Sequence, residues 1–175
     1  MIRRIPALAV LLVLLAAPAI AGCGSGSNSA NAAGGGSTMK RPTSATTVKT
    51  ASASGLGTIL VDGQGRTIYL FERDRGPTST CTGACIANWP AVTTHGKPQA
   101  GGGAAAAQLG VTKRSDGTTQ ATYAGHPLYY YAGDAAAGET NGQGLSFFGA
   151  LWYAVSPNGS AITTQASGGG RPSGY

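Results

Sequence analysis

"TIYLFERD" at residues 67–74 and "PLYYYAGD" at residues 127–134 share one skeleton. Each has an aromatic residue, any residue, a second aromatic residue, two further residues and an aspartate. The matching positions are Tyr69, Phe71 and Asp74 in the first copy and Tyr129, Tyr131 and Asp134 in the second. Because side chains two apart in a strand lie on the same face, each copy predicts a strand whose aromatic pair faces the core. The repetition indicates one structural unit built twice.

The turn signals around these copies predict a mainly β fold. "DGQG" at residues 62–65, "SDG" at 115–117 and "SPNGS" at 156–160 each separate two β-prone runs. No long stretch has helical apolar spacing, although "TCTGACIANW" at residues 80–89 could form one helical turn. We predict a small antiparallel β domain built from two related repeats, at about 57–92 and 116–155, with at most a short helical turn near the cysteine pair.

The two aspartates stand where each predicted strand should end. A carboxylate there can accept hydrogen bonds from N–H groups of the following turn, or from a tyrosine hydroxyl that would cost roughly 1–3 kcal/mol if buried unpaired. Catalytic groups are seldom needed twice at equivalent positions. We therefore predict that the motif residues are structural, and we predict no catalytic residue.

The N-terminus predicts export and a lipid anchor. A basic head at residues 1–4 precedes an apolar run with two prolines that ends in small residues, so residues 1–22 are predicted to be a signal peptide. "IAGC" at residues 20–23 matches a lipobox apart from Ile20, where leucine is commoner, and Cys23 is predicted to carry acyl chains such as palmitate. The alternatives are a plain secretory signal and a retained membrane helix, for which the run is short. A lipidated Cys23 would tether the chain to the extracytoplasmic face of the cell membrane.

Composition divides the rest of the chain. Residues 23–54 are predicted to be the lipidated cysteine and a flexible stalk, because they have too few large apolar side chains to offset the entropy of ordering. Residues 165–175 are predicted to be a disordered tail, which leaves 55–164 as the folded domain. Of the formal charge of +6, cleavage removes Arg3 and Arg4, and Lys40, Arg41 and Lys49 lie on the stalk. The nearly neutral domain argues against nucleic acid as a partner.

Longer stretches carry a family resemblance. They are "STCTGACIANWPAV" at residues 79–92, "YAGHPLYYYAGD" at 123–134, "GETNGQGL" at 138–145, and Trp152. The chain resembles the bacterial secreted-repeat lipoproteins, predicted lipoproteins with a Tyr-x-aromatic-x-x-Asp motif whose biochemical function is not established. The similarity covers residues 57–155. The second copy lacks the cysteine pair of the first, and it has Ala124 where such proteins often carry a turn asparagine. The resemblance implies little about activity.

Cys81 and Cys85 remain once Cys23 is assigned to lipid. In an oxidising envelope a disulfide between them is the first expectation. The alternative is a redox-active or copper-binding dithiol, because thiolates suit Cu(I), with His126 or His95 as a third ligand. Against it, no proline follows Cys85 and the strand–helix alternation of a thioredoxin-like carrier is missing. Haem attachment needs a different spacing.

Other chemistry has weaker support in the sequence. The oxygen-bearing residues Asp134, Glu139, Asn141 and Gln143 depart from the spacing of an EF-hand calcium loop. No Gly-x-Ser-x-Gly elbow is present. A glycosidase needs two carboxylates in different environments, whereas Asp74 and Asp134 are equivalent in the repeats.

We therefore predict a non-enzymatic envelope lipoprotein that acts as a binding or interaction module, without a cofactor. Tyrosines such as Tyr130 would supply rigid amphipathic contact area, which suits an envelope protein or carbohydrate partner. The alternative is an envelope copper or redox accessory protein that uses Cys81, Cys85 and a histidine.

Overall fold

The structure is a computed structural model, and it describes residues 45–164. Within these residues there are nine strands: β1 Thr47–Ala53, β2 Gly57–Asp62, β3 Tyr69–Phe71, β4 Gln99–Ala100, β5 Leu109–Lys113, β6 Thr119–Tyr123, β7 His126–Pro127, β8 Ser146–Phe147 and β9 Ala150–Ala154. They form three sheets, in the orders β2-β1-β4, β3-β9-β8 and β5-β6-β7. All neighbouring strands are antiparallel except β1 and β4, which are parallel. The predicted mainly β class is confirmed.

Helical structure is limited to two short pieces among the described residues. Helix α1, Ala84–Asn88, includes Cys85 and is the predicted turn near the cysteine pair. A 3₁₀ turn at Ala106–Gln108, which the sequence did not indicate, leads into β5. Neither piece is long and apolar enough to span a membrane, and no other helix occurs in residues 45–164.

The folded domain begins earlier than predicted. Strand β1, Thr47–Ala53, lies in the segment assigned to the stalk, and it pairs along its length with β2. Val48 is fully buried, although the residues around it in the sequence are polar. Composition missed this strand because its stability comes from its neighbours β2 and β4 and not from its own apolar content. The predicted signal peptide, Cys23, the stalk before residue 45 and the tail at 165–175 lie outside the described residues.

The two repeats interlock around a local twofold relation. The N–H of Tyr69 donates to the carbonyl of Tyr129 at 2.8 Å, and the N–H of Tyr129 donates back at 2.9 Å. On either side, equivalent bonds cross between the repeats. They are Leu60 N–H to Val155 O (2.7 Å) with Ala121 N–H to Val92 O (2.8 Å), and Val155 N–H to Ile68 O (3.2 Å) with Val92 N–H to Leu128 O (2.9 Å). Each repeat therefore completes the hydrogen bonding of the other.

The core has an aromatic cluster and an aliphatic cluster. In β3, Tyr69 and Phe71 belong to the aromatic cluster, whereas Leu70 belongs to the aliphatic one, as the alternation of a strand requires. In the second copy Tyr129 makes isolated bridges to Tyr69 and Ala91, and it does not lie in a strand. The prediction of an equivalent strand in each repeat is therefore wrong for the second copy.

The departure at Ala124 has a backbone explanation. Ala124 and Gly125 join β6 to β7 with φ values of 49° and 81°. Two consecutive positive φ values are typical of a type I′ hairpin turn, whose first position favours asparagine. Alanine at this position carries a small strain that asparagine would lower.

Candidate binding site

Four aromatic rings stack in one column, which ends at the protein surface. Phe71 lies on Trp152 (centroids 4.0 Å apart, planes at 8°), and Trp152 lies on Trp89 (3.9 Å, 6°). Trp89 contacts Tyr131 (4.5 Å, 34°). The first three rings are buried, whereas Tyr131 is only half-buried. The column follows the twofold relation, because Phe71 and Tyr131 are equivalent motif positions.

The tryptophans were not singled out as a pair from the sequence, although a signal was present. Both repeats end in Trp-x-Ala-Val, at residues 89–92 and 152–155. This shared ending places the two rings at equivalent positions, where the twofold relation brings them together. Counting it as part of the repeat would have predicted two equivalent buried tryptophans.

The motif tyrosines and aspartates pair between repeats, not within them. The Tyr69 hydroxyl donates to Asp134 Oδ2 at 2.7 Å, and the Tyr129 hydroxyl donates to Asp74 Oδ2 at 2.5 Å. Each tyrosine ring also packs edge-on against a tryptophan, Tyr69 on Trp89 and Tyr129 on Trp152. The predicted motif residues thus form two crossed pairs at the centre of the domain.

The two carboxylates have different surroundings despite their equivalent positions. Asp74 is buried, and its Oδ1 accepts from the N–H and the hydroxyl of Thr80, both at 2.7 Å. Asp134 is half-buried, and its Oδ1 accepts from the N–H of Asn141 at 2.8 Å. Burial raises the pKa of Asp134, and the hydrogen bonds from Tyr69 and Asn141 oppose that effect. The second copy is therefore the more open one.

This difference predicts unequal costs of removing the two carboxylates. We expect Asp74→Ala to lower the free energy of unfolding by about 3 kcal/mol, because the variant loses the hydrogen bonds that Tyr129 and Thr80 donate to a buried carboxylate. Asp134→Ala should cost about 1 kcal/mol, since Asp134 is only half-buried and water can take the place of its carboxylate. Urea unfolding of the two variants measures both values. Equal costs would contradict the assignment of Asp74 as the buried member.

Gly142 allows the Tyr131 end of the column to close. A Cβ atom at this buried position would lie 2.9 Å from both Trp89 Cη2 and Tyr69 Cζ, and 3.0 Å from Tyr131 Cβ. Its N–H donates to the Tyr69 hydroxyl at 3.3 Å. Any larger side chain would separate Tyr131 from Trp89, which explains the second glycine of "GETNGQGL".

The cysteines and histidines do not form a common site in the described part of the chain. Cys81 and Cys85 are joined by a disulfide, with Cα atoms 5.3 Å apart, and both are buried. His126 lies in β7, whereas His95 is exposed in a loop. No group of three His, Cys, Asp or Glu side chains comes together in residues 45–164. The copper alternative therefore finds no support.

The oxygen-bearing loop after Asp134 uses its side chains internally. Glu139 Oε2 accepts from the N–H groups of Ala135 and Ala136 at 2.6 and 3.2 Å. Gln143 accepts from the N–H of Ala154 at 2.8 Å. These bonds link the loop to its own backbone and to β9, and they occupy Glu139 Oε2 and Gln143 Oε1.

Tyr130 lies beside a charged pair that the sequence did not single out. Its hydroxyl donates to Asp62 Oδ2 at 3.0 Å, and the guanidinium of Arg66 lies 3.8 Å above the centroid of its ring. Arg66 Nε is 2.8 Å from the same Asp62 oxygen. The signal was the turn "DGQGR", in which an aspartate holds an arginine four residues later.

Two adjacent shallow pockets share Arg66 and Tyr130. The first, of about 230 Å³, is lined mainly by uncharged polar residues: Thr46, Thr47, Gln64 and Thr93. The second, of about 180 Å³, is lined by Thr67, Pro90, Tyr131, Ala132 and Asp134. We call the surface formed by Arg66, Pro90, Tyr130, Tyr131 and Asp134 the tyrosine face.

Backbone hydrogen bonds hold the tyrosine face in place. The N–H of Tyr130 donates to Pro90 O, and the N–H of Ala132 donates to Asn88 O, both at 2.8 Å. The segment of the second repeat is thus attached to the end of the first. The face presents two restrained rings between a guanidinium and a carboxylate, an arrangement suited to binding.

Comparison with known proteins gives the family. A family model described as a secreted repeat of unknown function matches residues 50–93 and 110–156, just over half of the chain. The two matched stretches are the two interlocked repeats. No curated protein and no solved structure matches the chain. The chain belongs to the family of secreted repeats of unknown function, with two copies of the repeat in one domain.

Proposed function

We propose that this protein is a non-enzymatic binding module of the cell envelope, and that the tyrosine face binds an envelope polysaccharide. The observation that carries the proposal is the restrained pair of half-buried rings, with Tyr131 on Trp89 and Tyr130 under Arg66, beside Asp134. Tyrosine supplies large, rigid contact area at a low cost in conformational entropy. A sugar ring needs this kind of partner: a flat apolar surface with polar groups at its edge.

The size of the pockets favours a polymer. Sites that enclose a small molecule usually measure about 300–1,000 Å³ and bury most of the ligand. The pockets beside Arg66, at about 230 and 180 Å³, are smaller and open. They fit one or two units of a longer chain whose remainder stays in solvent.

The hydrogen bonds that the motif carboxylates already accept support a role without catalysis. A glycosidase needs one carboxyl group to act as an acid and a second to act as a base or nucleophile. Asp74 is buried and holds Tyr129 and Thr80, and Asp134 holds Tyr69. In the proposal both are structural, and Asp134 also offers its exposed side to sugar hydroxyls.

The proposal places the domain next to its ligand. The family is a secreted one, and residues 1–22 have the features of a lipoprotein signal peptide directly before Cys23. A lipid on Cys23 would keep the domain near the extracytoplasmic face of the cell membrane.

Calorimetric titration of the mature chain with a panel of soluble cell-wall glycans tests the function. We expect binding to at least one glycan, and Tyr131→Ala should weaken it about tenfold by removing the platform. Tyr153→Ala is the matched control, because this half-buried tyrosine of β9 lines neither pocket. Thermal unfolding verifies that both variants are folded. The proposal fails if no glycan binds, or if both variants lose affinity equally.

A further inference from the structure

The guanidinium of Arg66 is oriented but only partly used. Its Nε is paired with Asp62, its carbon lies over the Tyr130 ring, and its side chain is 51% exposed. Among residues 45–164, no hydrogen bond or ion pair involves its two terminal amino groups, Nη1 and Nη2. The exposed end of Arg66 is therefore available to a ligand.

Asp62 fixes the direction of this free end. It is 1% exposed; its Oδ1 accepts from the N–H groups of Gln64 and Arg66, both at 2.9 Å, and its Oδ2 accepts from Arg66 Nε and from Tyr130. With Nε bound and one face of the guanidinium covered by the Tyr130 ring, the planar group loses little freedom when a ligand binds. Guanidinium groups held in this way recognise carboxylate or phosphate through two parallel hydrogen bonds.

We infer that the tyrosine face selects an anionic sugar, whose carboxylate or phosphate group is bound by Nη1 and Nη2 of Arg66. The inference rests on the proposed function and adds the charge of the ligand to it. The two pockets also indicate the orientation of the bound sugar. The first contains no acidic side chain and accepts the anionic group, whereas the second contains Asp134 and accepts the hydroxyls of the ring stacked on Tyr131.

A set of matched ligands tests the inference on the mature chain. Calorimetry compares an oligogalacturonate, its neutral methyl ester and a phosphorylated galactose oligomer. We expect at least one anionic ligand to bind about tenfold more tightly than the ester, and the two anions separate carboxylate from phosphate recognition. Arg66→Gln should reduce the anion to the affinity of the ester, and Arg66→Lys should recover little, because lysine lacks the fork.

Arg73→Gln is the control for general electrostatics. Arg73 is exposed, its Nη1 donates to Phe148 O at 3.3 Å, and it lines neither pocket. Retained preference in this variant supports a specific site. Equal binding of anion and ester by the parent chain, or equal losses in the Arg66 and Arg73 variants, would overturn the inference while leaving glycan binding intact. Failure of all three ligands and of the wider glycan panel would remove the proposed function itself.

Discussion

Above about pH 10, the free energy of unfolding should fall by about 4 kcal/mol for each further pH unit, because three tyrosines are held neutral in the folded domain. Burial raises the pKa of Tyr69, and the charge of Asp134 adds to it. Burial also raises the pKa of Tyr129, with the hydrogen bond to Asp74 next in importance, and that of Tyr130, with the charge of Asp62 next. All three hydroxyls donate to carboxylates, and a tyrosinate could not.

The direction follows from the two states. The unfolded chain releases each of these protons near pH 10, whereas the folded domain retains them to higher pH. The stability that these three tyrosines contribute is therefore fully present below pH 10, and it is lost as the pH rises towards their folded-state pKa values. Each tyrosine contributes a slope of about 1.4 kcal/mol per pH unit in that window.

Urea unfolding at closely spaced pH values between about 9 and 11, followed by tryptophan fluorescence, measures the slope. Tyrosinate absorbance should show a cooperative step that coincides with unfolding. Tyr129→Phe is the matched variant, because it keeps the ring and removes one titrating group. Its free energy of unfolding should fall less steeply with pH, by about 1.4 kcal/mol per pH unit, because one titrating group is gone. This difference does not depend on the stability of the variant at neutral pH. An unchanged slope would show that Tyr129 ionises in the folded domain.

The sequence predicted the features that depend on local pattern. The spacing of Tyr69, Phe71 and Asp74 identified a repeated unit, and the glycine turns placed the hairpins. The choice of a tyrosine hydroxyl as a possible partner for each aspartate followed from chemistry alone. These inferences need only a periodicity or a residue type.

The partners of these residues could not be predicted in the same way. Asp74 follows Tyr69 by five residues and comes after a turn in which its N–H donates to Phe71 O at 3.0 Å. The Tyr69 hydroxyl pairs instead with Asp134, which the twofold relation brings to it from the other repeat. Strand β1 and the position of Arg66 over Tyr130 also depend on segments that meet only in three dimensions. Sequence spacing within one repeat contains no information about such contacts.

Trp152→Ala should lower the free energy of unfolding by about 3–5 kcal/mol, a large part of the stability of a domain of this size. Trp152 lies in the column between Phe71 and Trp89, and Tyr129 packs against its edge. Its removal would therefore take one aromatic contact from each of these three rings and open a cavity in the centre. Urea unfolding measures the change, and a cost below about 1 kcal/mol would mean that the column contributes little to the stability of the domain.

Phenylalanine variants separate the contribution of stacking from that of the indole N–H. Trp152 Nε1 donates to Phe147 O at 3.2 Å, whereas Trp89 Nε1 is buried and has no partner among the described residues. Trp89→Phe removes an unpaired donor, so it should cost about 1 kcal/mol less than Trp152→Phe, although both keep a ring in the column. The reverse order would show that the N–H of Trp89 is satisfied in solution.

Trp89 also supports the ring of Tyr131 in the tyrosine face. A stable Trp89→Phe domain should still bind glycan, because this support needs an aromatic ring at position 89 and not an indole N–H group.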